Sequence, residues 1–341
     1  MKKILYYLLG FLLLLVLVYV GLCAIGTKNF NTERTLAIDA PKAMLFNMVN
    51  DYKIWEKWSP WYDKDPEMKV EYGASTQGVG ASYSWSGNEV VGKGTMTTTE
   101  SVPTSMVKAK MEFEGFAEPS TAEFNFADKE GKTEVVWKHY SDSDLPFLIR
   151  GYMLITRAKS KMENDFDNGL AKMAALAKER INNKMYDGYK INEVDQPERH
   201  FILNRQEVGY NNVQQFYAGN LGSLFAKAQG ASVEMDGMPC GLFYGFNDAT
   251  KMVDMAAAIP IKEPLAIRGA QALTLPVSKS ITVDYYGDYN GTPAAHAAVE
   301  SYMRDFGILN DPPYIEEYVT DPGEEPDPKK WLTKITYYIS K

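Results

Sequence analysis

The sequence has few of the residues that carry most metal and redox chemistry, with two cysteines and three histidines in 341 residues. Cys23 lies within an apolar run and Cys240 lies far downstream, so they do not suggest a structural bridge and do not settle the compartment. The histidines, His139, His200 and His296, are far apart and form no pair at i, i+4 spacing. The sequence therefore predicts no metal site.

Familiar catalytic and cofactor motifs are also missing. The chain has no G-x-S-x-G elbow, no phosphate loop and no dinucleotide fingerprint. Gly78-x-Gly80 and Gly92-x-Gly94 lack a third glycine and lie among strand-like runs, which favours a role in hairpins. We therefore expect no cofactor.

Net positive charge is the third absence. Lysine and arginine total 36 against 44 acidic residues, which gives a net charge of −8. This balance argues against a phosphate-binding surface and nucleic acid as the partner, and it is compatible with cationic or neutral small molecules. At 45% hydrophobic and 23% charged residues, the composition is that of a globular protein.

The most informative feature present is an uncharged run over residues 4–26, preceded by Lys2 and Lys3. A helix rises about 1.5 Å per residue, so the run is long enough for the roughly 30 Å hydrocarbon core of a bilayer. It is longer than the apolar core of most signal peptides, and only Ala24 to Gly26 resembles a cleavage site. We predict an uncleaved transmembrane signal anchor, with a cleaved signal peptide as the alternative.

Residues 32–182 read as a first α+β domain. A strand and a short helix open it, strand-like runs broken by turn residues fill 69–140, and one long helix follows from about Pro146 to Asn183. Met162, Phe166, Leu170, Met173 and Leu176 form one apolar stripe on that helix.

Residues 183–197 are polar and are predicted to be a linker. Over 198–341 the pattern predicts a strand, helix, strand, strand unit that occurs twice, with an extra strand at 271–277 pairing at the start of the second copy. Two such units are expected to meet about a pseudo-twofold axis, where a groove forms. The predicted fold class is α+β throughout, after the N-terminal transmembrane helix.

Five of the six tryptophans fall in the first domain, three of them in the segment WEKWSPW at 55–61. An aromatic-lined cavity would use Trp58, Trp85 and Trp137. The alternative is a corner where short helices pack on the sheet, since three tryptophans within seven residues cannot all face one cavity.

The first domain resembles the SRPBCC superfamily, the START-like or polyketide-cyclase-like proteins. The resemblance rests on IDAP at 38–41, on WEKWSPW with the Asp-Pro at 65–66, on the glycines of GVG and GKG, and on the closing FDNGLAKMAALAKE. It implies a helix-grip fold, in which a bent antiparallel sheet holds a long helix around a hydrophobic cavity. It implies no fixed chemistry.

The second domain contains the sharpest pattern, YIEEYV at 314–319. A period of two places Tyr314, Glu316 and Tyr318 on one face of a strand, with Ile315 and Glu317 on the other. A carboxylate between two aromatic rings suits a lipophilic cation. The alternative is an ordinary strand with Glu316 exposed beside two tyrosines.

The segments PPYIEEYVTDP, GLFYGFND and YYGDYNG resemble the GyrI-like domain, the effector-binding module of bacterial AraC-type and multidrug-responsive regulators. The family's acid two residues before a tyrosine, followed by Asp-Pro, falls on Glu316, Tyr318, Asp321 and Pro322. A proline of the family pattern is lost at Gly287-Asp288-Tyr289. The resemblance implies that Glu316 contacts the ligand, and it extends the pocket to a list of aromatic candidates: Tyr318, Tyr289, Tyr244 and Phe246.

Such modules often follow a helix-turn-helix domain, and nothing here reads as one, which disfavours a DNA-bound regulator. We expect a non-catalytic sensor or sequestering protein for amphipathic or cationic small molecules. It would be anchored in the bacterial cytoplasmic membrane, with its domains on the periplasmic side. Two alternatives stay open: a hydrolase using Glu316 with Tyr289, since some GyrI-like proteins pair a pocket glutamate with a tyrosine, and a protein-interaction module.

Overall fold

The computed structural model describes residues 2–116, 118–141, 143–320 and 322–339. Between Ile181 and Asn182 the chain divides into two compact units. The Asp321 of the predicted Asp-Pro motif lies outside the described residues.

The chain begins with helix α1, Lys2–Ile25. Within the described residues, Lys3–Ile25 is the one helix whose length and apolar composition would allow it to cross a membrane. Its side chains from Ile4 to Val18 are exposed in the structure. Length and composition alone agree with the predicted anchor, and a signal sequence would share both.

The first unit is a seven-stranded antiparallel sheet with helices on one side. Its strands are β1 Thr32–Ile38, β2 Lys69–Tyr72, β3 Ser82–Ser86, β4 Lys93–Val102, β5 Met106–Phe113, β6 Ser120–Lys129 and β7 Lys132–Tyr140. Its helices after α1 are α2 Lys42–Asn50, α3 Trp55–Trp58, α4 Pro60–Lys64, α5 Phe147–Ile155 and α6 Ala158–Asn183. The strand order β1-β7-β6-β5-β4-β3-β2 is a meander closed by the first strand pairing with the last.

Helix α6 packs on this sheet through the apolar stripe that the sequence predicts. Phe166, Leu170 and Met173 are buried, and the ring of Phe166 stacks on Trp137 of β7 at 3.9 Å between centroids. This is the helix-grip arrangement, since the apolar stripe of one helix covers the apolar face of one curved sheet.

The predicted single helix from Pro146 to Asn183 is two helices in the structure. The break lies at Thr156 and Arg157, and Arg157 has a left-handed backbone with φ 52°. An α-helix cannot pass through that conformation, so α5 leaves the direction of α6. Sequence periodicity did not reveal the break because apolar residues continue on both sides of it.

The second unit is an eight-stranded sheet that carries two helices. Its elements are β8 Met185–Tyr186, β9 Tyr189–Lys190, β10 Asn192–Gln196, β11 Arg199–Gly209, α7 Val213–Gly230, β12 Cys240–Asn247, β13 Met252–Ile261, β14 Gln271–Leu275, β15 Ser278–Tyr286, α8 Thr292–Phe306, β16 Asn310–Tyr318 and β17 Leu332–Ile339. The sheet order is β10-β15-β17-β16-β12-β13-β11-β14, and β8 and β9 form a separate hairpin.

That order has the predicted twofold character. The units β11-α7-β12-β13 and β15-α8-β16-β17 have the same internal order, and their middle strands β12 and β16 pair side by side at the centre. Helices α7 and α8 therefore flank the two central strands, and a groove opens between the helices.

Two predictions about the edges of this sheet are wrong. Residues 183–197, predicted as a linker, contain β8, β9 and β10, and β10 pairs with β15. Their polar composition misled the prediction because β10 is an exposed edge strand, while Tyr186 and Ile191 beside it are buried in the core. The extra strand β14 pairs with β11 of the first copy, not with the second copy that follows it in sequence.

Candidate functional site

A cleft of about 1490 Å³ lies over the two central strands of the second unit. Strands β12 and β16 supply its floor, and α7 and α8 supply its two sides. The pseudo-twofold topology creates this cleft, because two helices that pack on separate halves of one sheet leave the strands between them uncovered.

Strand β16 points Tyr314, Glu316 and Tyr318 into the cleft. The intervening Ile315 is fully buried on the other face, where Glu317 also lies and receives two hydrogen bonds from Arg199 at 2.8 and 3.1 Å. The alternation read from the sequence is thus present in the structure. Glu316 is only 8% exposed, so it is not the solvated surface acid of the alternative interpretation.

Glu316 is held by hydrogen bonds from two other side chains. His296 Nε2 lies 2.7 Å from Glu316 Oε1, and the Tyr318 hydroxyl donates to Oε2 at 3.2 Å. On its other side, His296 Nδ1 lies 2.8 Å from the hydroxyl of Tyr337. A neutral imidazole has one donor and one acceptor nitrogen, so Tyr337 donating to Nδ1 and Nε2–H donating to Glu316 satisfies the chain. The carboxylate is therefore fixed in place without an arginine or lysine.

Four parallel rings form the floor beside this carboxylate. Phe246 stacks on Phe243 at 6.0 Å, Phe243 on Tyr314 at 4.9 Å and Tyr314 on Tyr337 at 4.8 Å, with interplanar angles of 9° to 16°. Phe243 and Tyr314 are directly opposite each other on β12 and β16, and Tyr314 is opposite Tyr337 on β17. Cross-strand pairing therefore builds a row of stacked aromatic rings across three strands.

A second aromatic group closes the cleft near Glu316. Tyr318 meets the rings of Tyr217 at 5.6 Å and Tyr289 at 5.2 Å, and Tyr289 meets Trp331 at 5.2 Å. The contacts of Tyr318 are edge-on, which presents ring faces in several directions. A planar or bulky ligand can thus meet π surfaces from more than one side.

Three tyrosines of the cleft, Tyr314, Tyr318 and Tyr337, are neutral. Burial raises the pKa of Tyr314, Tyr318 and Tyr337, and the nearby Glu316 carboxylate raises the same three pKa values further. Their hydroxyl groups therefore act as hydrogen-bond donors and their rings as π surfaces, while the negative charge belongs to the carboxylates.

Apart from His296, the ionisable acidic and basic side chains that line the cleft are all carboxylates. Asp288, Glu300 and Glu316 line it, and the described lining residues include no lysine or arginine. With His296 as the neutral imidazole, low-dielectric aromatic walls and three carboxylates focus a negative potential in the cleft. The site is therefore suited to neutral or cationic ligands.

The loop YYGDYNG holds Tyr289 just before the N-terminus of α8. The Tyr285 hydroxyl donates to the Asp288 carbonyl at 2.8 Å and fits against Gly287 and Gly291. A Cβ at Gly291 would lie 1.9 Å from the Tyr285 hydroxyl oxygen, so any larger residue there would force the Tyr285 side chain to move. The glycines of this motif are explained by the buried Tyr285 hydroxyl, and the loop keeps its shape without the family's proline.

All six residues predicted to bind a ligand line this one cleft: Glu316, Tyr318, Tyr314, Tyr289, Tyr244 and Phe246. Their role in binding stays a prediction. One face of Tyr244 is already covered by the Arg205 guanidinium at 3.4 Å from the ring centre, which leaves less of that ring for a ligand. The tyrosine whose hydroxyl bonds Glu316 is Tyr318, whereas Tyr289, the predicted hydrolase partner, contacts Tyr318 ring to ring.

Sequence reasoning missed His296 as a partner of Glu316, treating it as an isolated histidine. A signal was present, because Thr292, His296 and Glu300 recur every four residues along α8 and all three line the cleft. Nothing in the sequence indicated which strand this polar stripe faces. The structure also adds Tyr217, Trp331 and Tyr337 to the lining.

The tryptophans proposed as cavity residues of the first unit lie in a tightly packed core. Trp58 and Trp137 are 0% and 1% exposed, with ring centroids 5.6 Å apart, and Trp58 donates its indole N–H to the Met48 carbonyl at 2.9 Å. Trp85 is 7% exposed and meets Tyr83 and Phe113. A ligand cavity among these rings stays a prediction.

Within the described residues no group of three or more histidine, cysteine or acidic side chains is arranged to hold a metal ion. The cysteines are not reactive candidates either. Cys240 is fully buried, and burial raises the pKa of its thiol.

Comparison with protein families identifies both units. Residues 39–178 match the family model "Activator of Hsp90 ATPase homolog 1-like protein", which is SRPBCC-like. Residues 189–339 match the model "GyrI-like small molecule binding domain". The two matches occur in the predicted order, so both resemblances are confirmed, and together they imply small-molecule binding.

No curated protein matches the chain. Solved structures similar to this chain include the C-terminal domain of EcmrR, with 16% identity, a TM-score of 0.40, and coverage of 45% of this chain and 98% of that chain. A hydrolase encoded by lin2189 from Listeria innocua has 14% identity and a TM-score of 0.35, and the match covers 44% and 92% of the two chains. SAV2435 bound to tetraphenylphosphonium has 14% identity and a TM-score of 0.34, with coverage of 44% and 94%.

Proposed function

We propose that this protein is a membrane-anchored, non-catalytic receptor for lipophilic aromatic cations, which it senses or sequesters in the cleft of the second unit. The observation that supports this most is the position of Glu316. It is a buried carboxylate at the centre of an aromatic cleft whose described lining includes no lysine or arginine.

The charge of the ligand follows from the hydrogen bonds of Glu316. Its partners His296 and Tyr318 satisfy its oxygens, and with His296 as the neutral imidazole neither partner cancels the charge. A cation about 5 Å away in an environment of effective dielectric near 20 gains roughly 3 kcal/mol. After the loss of its hydration, we take about 2 kcal/mol as the net preference for a cation over a neutral analogue.

The aromatic character of the ligand follows from the floor. Phe243, Tyr314 and Tyr337 form a row of stacked rings beneath the cleft, and the edge-on rings around Tyr318 add ring faces that attract aromatic groups and cations. The cleft is larger than most drug-sized sites, so a ligand with several rings fits.

The proposed membrane role rests on α1 alone. Lipophilic cations concentrate at bilayers, so a receptor held there by an uncleaved helix would meet its ligand at a high local concentration. The predicted periplasmic orientation belongs to this proposal as well.

The test uses the full-length protein in detergent and a matched pair of ligands. Calorimetric titration compares a naphthyl quaternary ammonium ion with its uncharged carbon analogue, for the wild type and for Glu316→Gln. We expect the wild type to bind the cation about thirtyfold more tightly than the neutral analogue, the equivalent of about 2 kcal/mol. Glu316→Gln should remove that preference and leave binding of the neutral compound unchanged.

The control variant is Asp284→Asn, which removes an exposed carboxylate of β15 that does not line the cleft. It should change both affinities less than twofold. Equal affinity of the wild type for both ligands would refute the proposed selection for cations. An unchanged preference for the cation in Glu316→Gln would show that the cation binds at another site.

A hydrolase is the second candidate, and the His296–Glu316 hydrogen bond is the observation that favours it. Glu316 would serve as general base, with Tyr318 as its neighbour in place of the predicted Tyr289. Release of p-nitrophenol from aryl esters by the wild type, abolished in Glu316→Gln, would support this candidate over the receptor.

A further inference from the structure

Helix α5 of the first unit exposes an unusual number of large apolar side chains for its nine residues. Phe147, Leu148, Tyr152, Leu154 and Ile155 are 44% to 60% exposed. A contiguous apolar surface of this kind marks a contact with a partner or a membrane.

Helix α5 lies directly against the last turns of α1. The Tyr19 hydroxyl donates to the Leu148 carbonyl at 2.7 Å, and Cys23 is completely buried in this contact. Gly151 lets the helices approach closely, because a Cβ there would lie 2.6 Å from the Cys23 sulfur.

The exposed residues of α5 flank this contact on both sides. Leu148, Gly151 and Ile155 follow i, i+3, i+7 spacing, and Phe147, Gly151 and Leu154 follow i, i+4, i+7. Gly151 faces α1, so both pairs of apolar side chains lie beside α1 and not on the far side of α5. Whatever surrounds this end of α1 therefore also surrounds α5.

The length of α1 fixes the depth of α5. The side chains from Ile4 to Val18 are free of the folded unit, and these 15 residues measure about 22 Å along a helix. A hydrocarbon core of roughly 30 Å needs about five residues more. A complete crossing therefore includes the turns from Tyr19 onward, which are the turns that α5 covers.

We propose that α5 is a second lipid-contacting element, lying at the bilayer interface against the end of α1. Its apolar side chains contact acyl chains, and Arg157, Lys159 and Lys161, which follow it directly, contact anionic lipid headgroups. This proposal rests on the membrane anchoring proposed above. It holds the first unit against the bilayer, so the unit is not free to swing on a single tether.

The test reads lipid contact at single sites of the full-length protein. Leu148→Cys and Ile155→Cys variants are labelled with an environment-sensitive nitrobenzoxadiazole probe and reconstituted in phosphatidylcholine–phosphatidylglycerol vesicles. The native Cys23 and Cys240 are 0% exposed, which directs the label to the new site. Both probes should emit at shorter wavelength than in water and be quenched several-fold by lipids with a nitroxide near the headgroup.

Two further positions separate the possible outcomes. Val90→Cys, on a 72% exposed loop residue of the same unit, should remain unquenched, and Leu12→Cys within α1 should be quenched by a nitroxide deep in the acyl chain. Quenching at position 12 with none at 148 and 155 would overturn the α5 proposal while the anchor stands, and blue-shifted but unquenched α5 probes would indicate a protein contact instead. No quenching at position 12 would overturn the anchor and α5 together.

Discussion

Acid should destabilise the first unit through one residue, His139 on β7. Its side chain is 7% exposed, with Nε2 3.0 Å from the Ser120 hydroxyl and the ring of Phe30 5.8 Å away. Burial lowers the pKa of His139 to about 4, against an ordinary value of 6.5. The folded protein thus keeps this imidazole neutral where the unfolded chain protonates it.

The sign and size follow from linkage. Between pH 6.5 and 4 the unfolded state binds the extra proton, so the free energy of unfolding falls as the pH falls. The full difference of 2.5 pH units corresponds to about 3 kcal/mol, and about 2 kcal/mol of it is lost between pH 7 and pH 5.

Urea unfolding followed by tryptophan fluorescence measures this, since five of the six tryptophans are in the first unit. His139→Gln cannot titrate and can still bond Ser120, so its unfolding free energy should fall about 2 kcal/mol less than that of the wild type between pH 7 and 5. The carboxylates titrate alike in the wild type and the variant, so their contribution cancels when the two unfolding free energies are subtracted. His200→Gln, in the second unit, should follow the wild type, and parallel curves for His139→Gln and the wild type would refute the assignment.

Two further predictions concern the second unit. Arg199→Met leaves the Glu317 carboxylate buried without its paired cation, so it should lower the unfolding free energy in urea titrations by about 3 kcal/mol. Adding Glu317→Leu should restore most of that unfolding free energy. A double variant that is as unstable as Arg199→Met would contradict this account. Gly291→Ala forces the Tyr285 hydroxyl away, so it should destabilise the unit by about 2 kcal/mol and weaken ligand binding in the cleft. Thermal melting measures the first effect, and titration with the aromatic cation measures the second. An unchanged melting temperature would show that the loop accommodates a Cβ at this position, against the contact seen in the structure.

The proposed cleft and the proposed lipid-contacting helix belong to different units of the chain. Each has its own chemistry, since the cleft depends on a buried carboxylate and aromatic rings and the helix on exposed apolar side chains. Their tests are independent as well, because Glu316→Gln leaves α5 unchanged and a probe on Leu148 leaves the cleft unchanged.

The sequence by itself determined what is local or periodic. Alternation along a strand is a property of the backbone, so it was enough to place Tyr314, Glu316 and Tyr318 on one face, with Ile315 on the other. The uncharged run at the N-terminus and the repeat of two similar units could also be predicted, because the first depends only on the length of an apolar segment and the second only on the order of elements along the chain.

Only the tertiary structure decided what brings distant residues together. His296 precedes Glu316 by 20 residues and Tyr337 follows it by 21, and their hydrogen bonds exist because α8 crosses the strands β16 and β17. The pairing of β10 with β15, and of β14 with β11, depends on which sheet edges remain free once the central strands have paired. The close contact of α5 with α1 depends on the fit of Gly151 against Cys23. Such contacts are determined by packing and by the hydrogen bonding of buried polar groups, and the spacing of residues along the chain predicts neither.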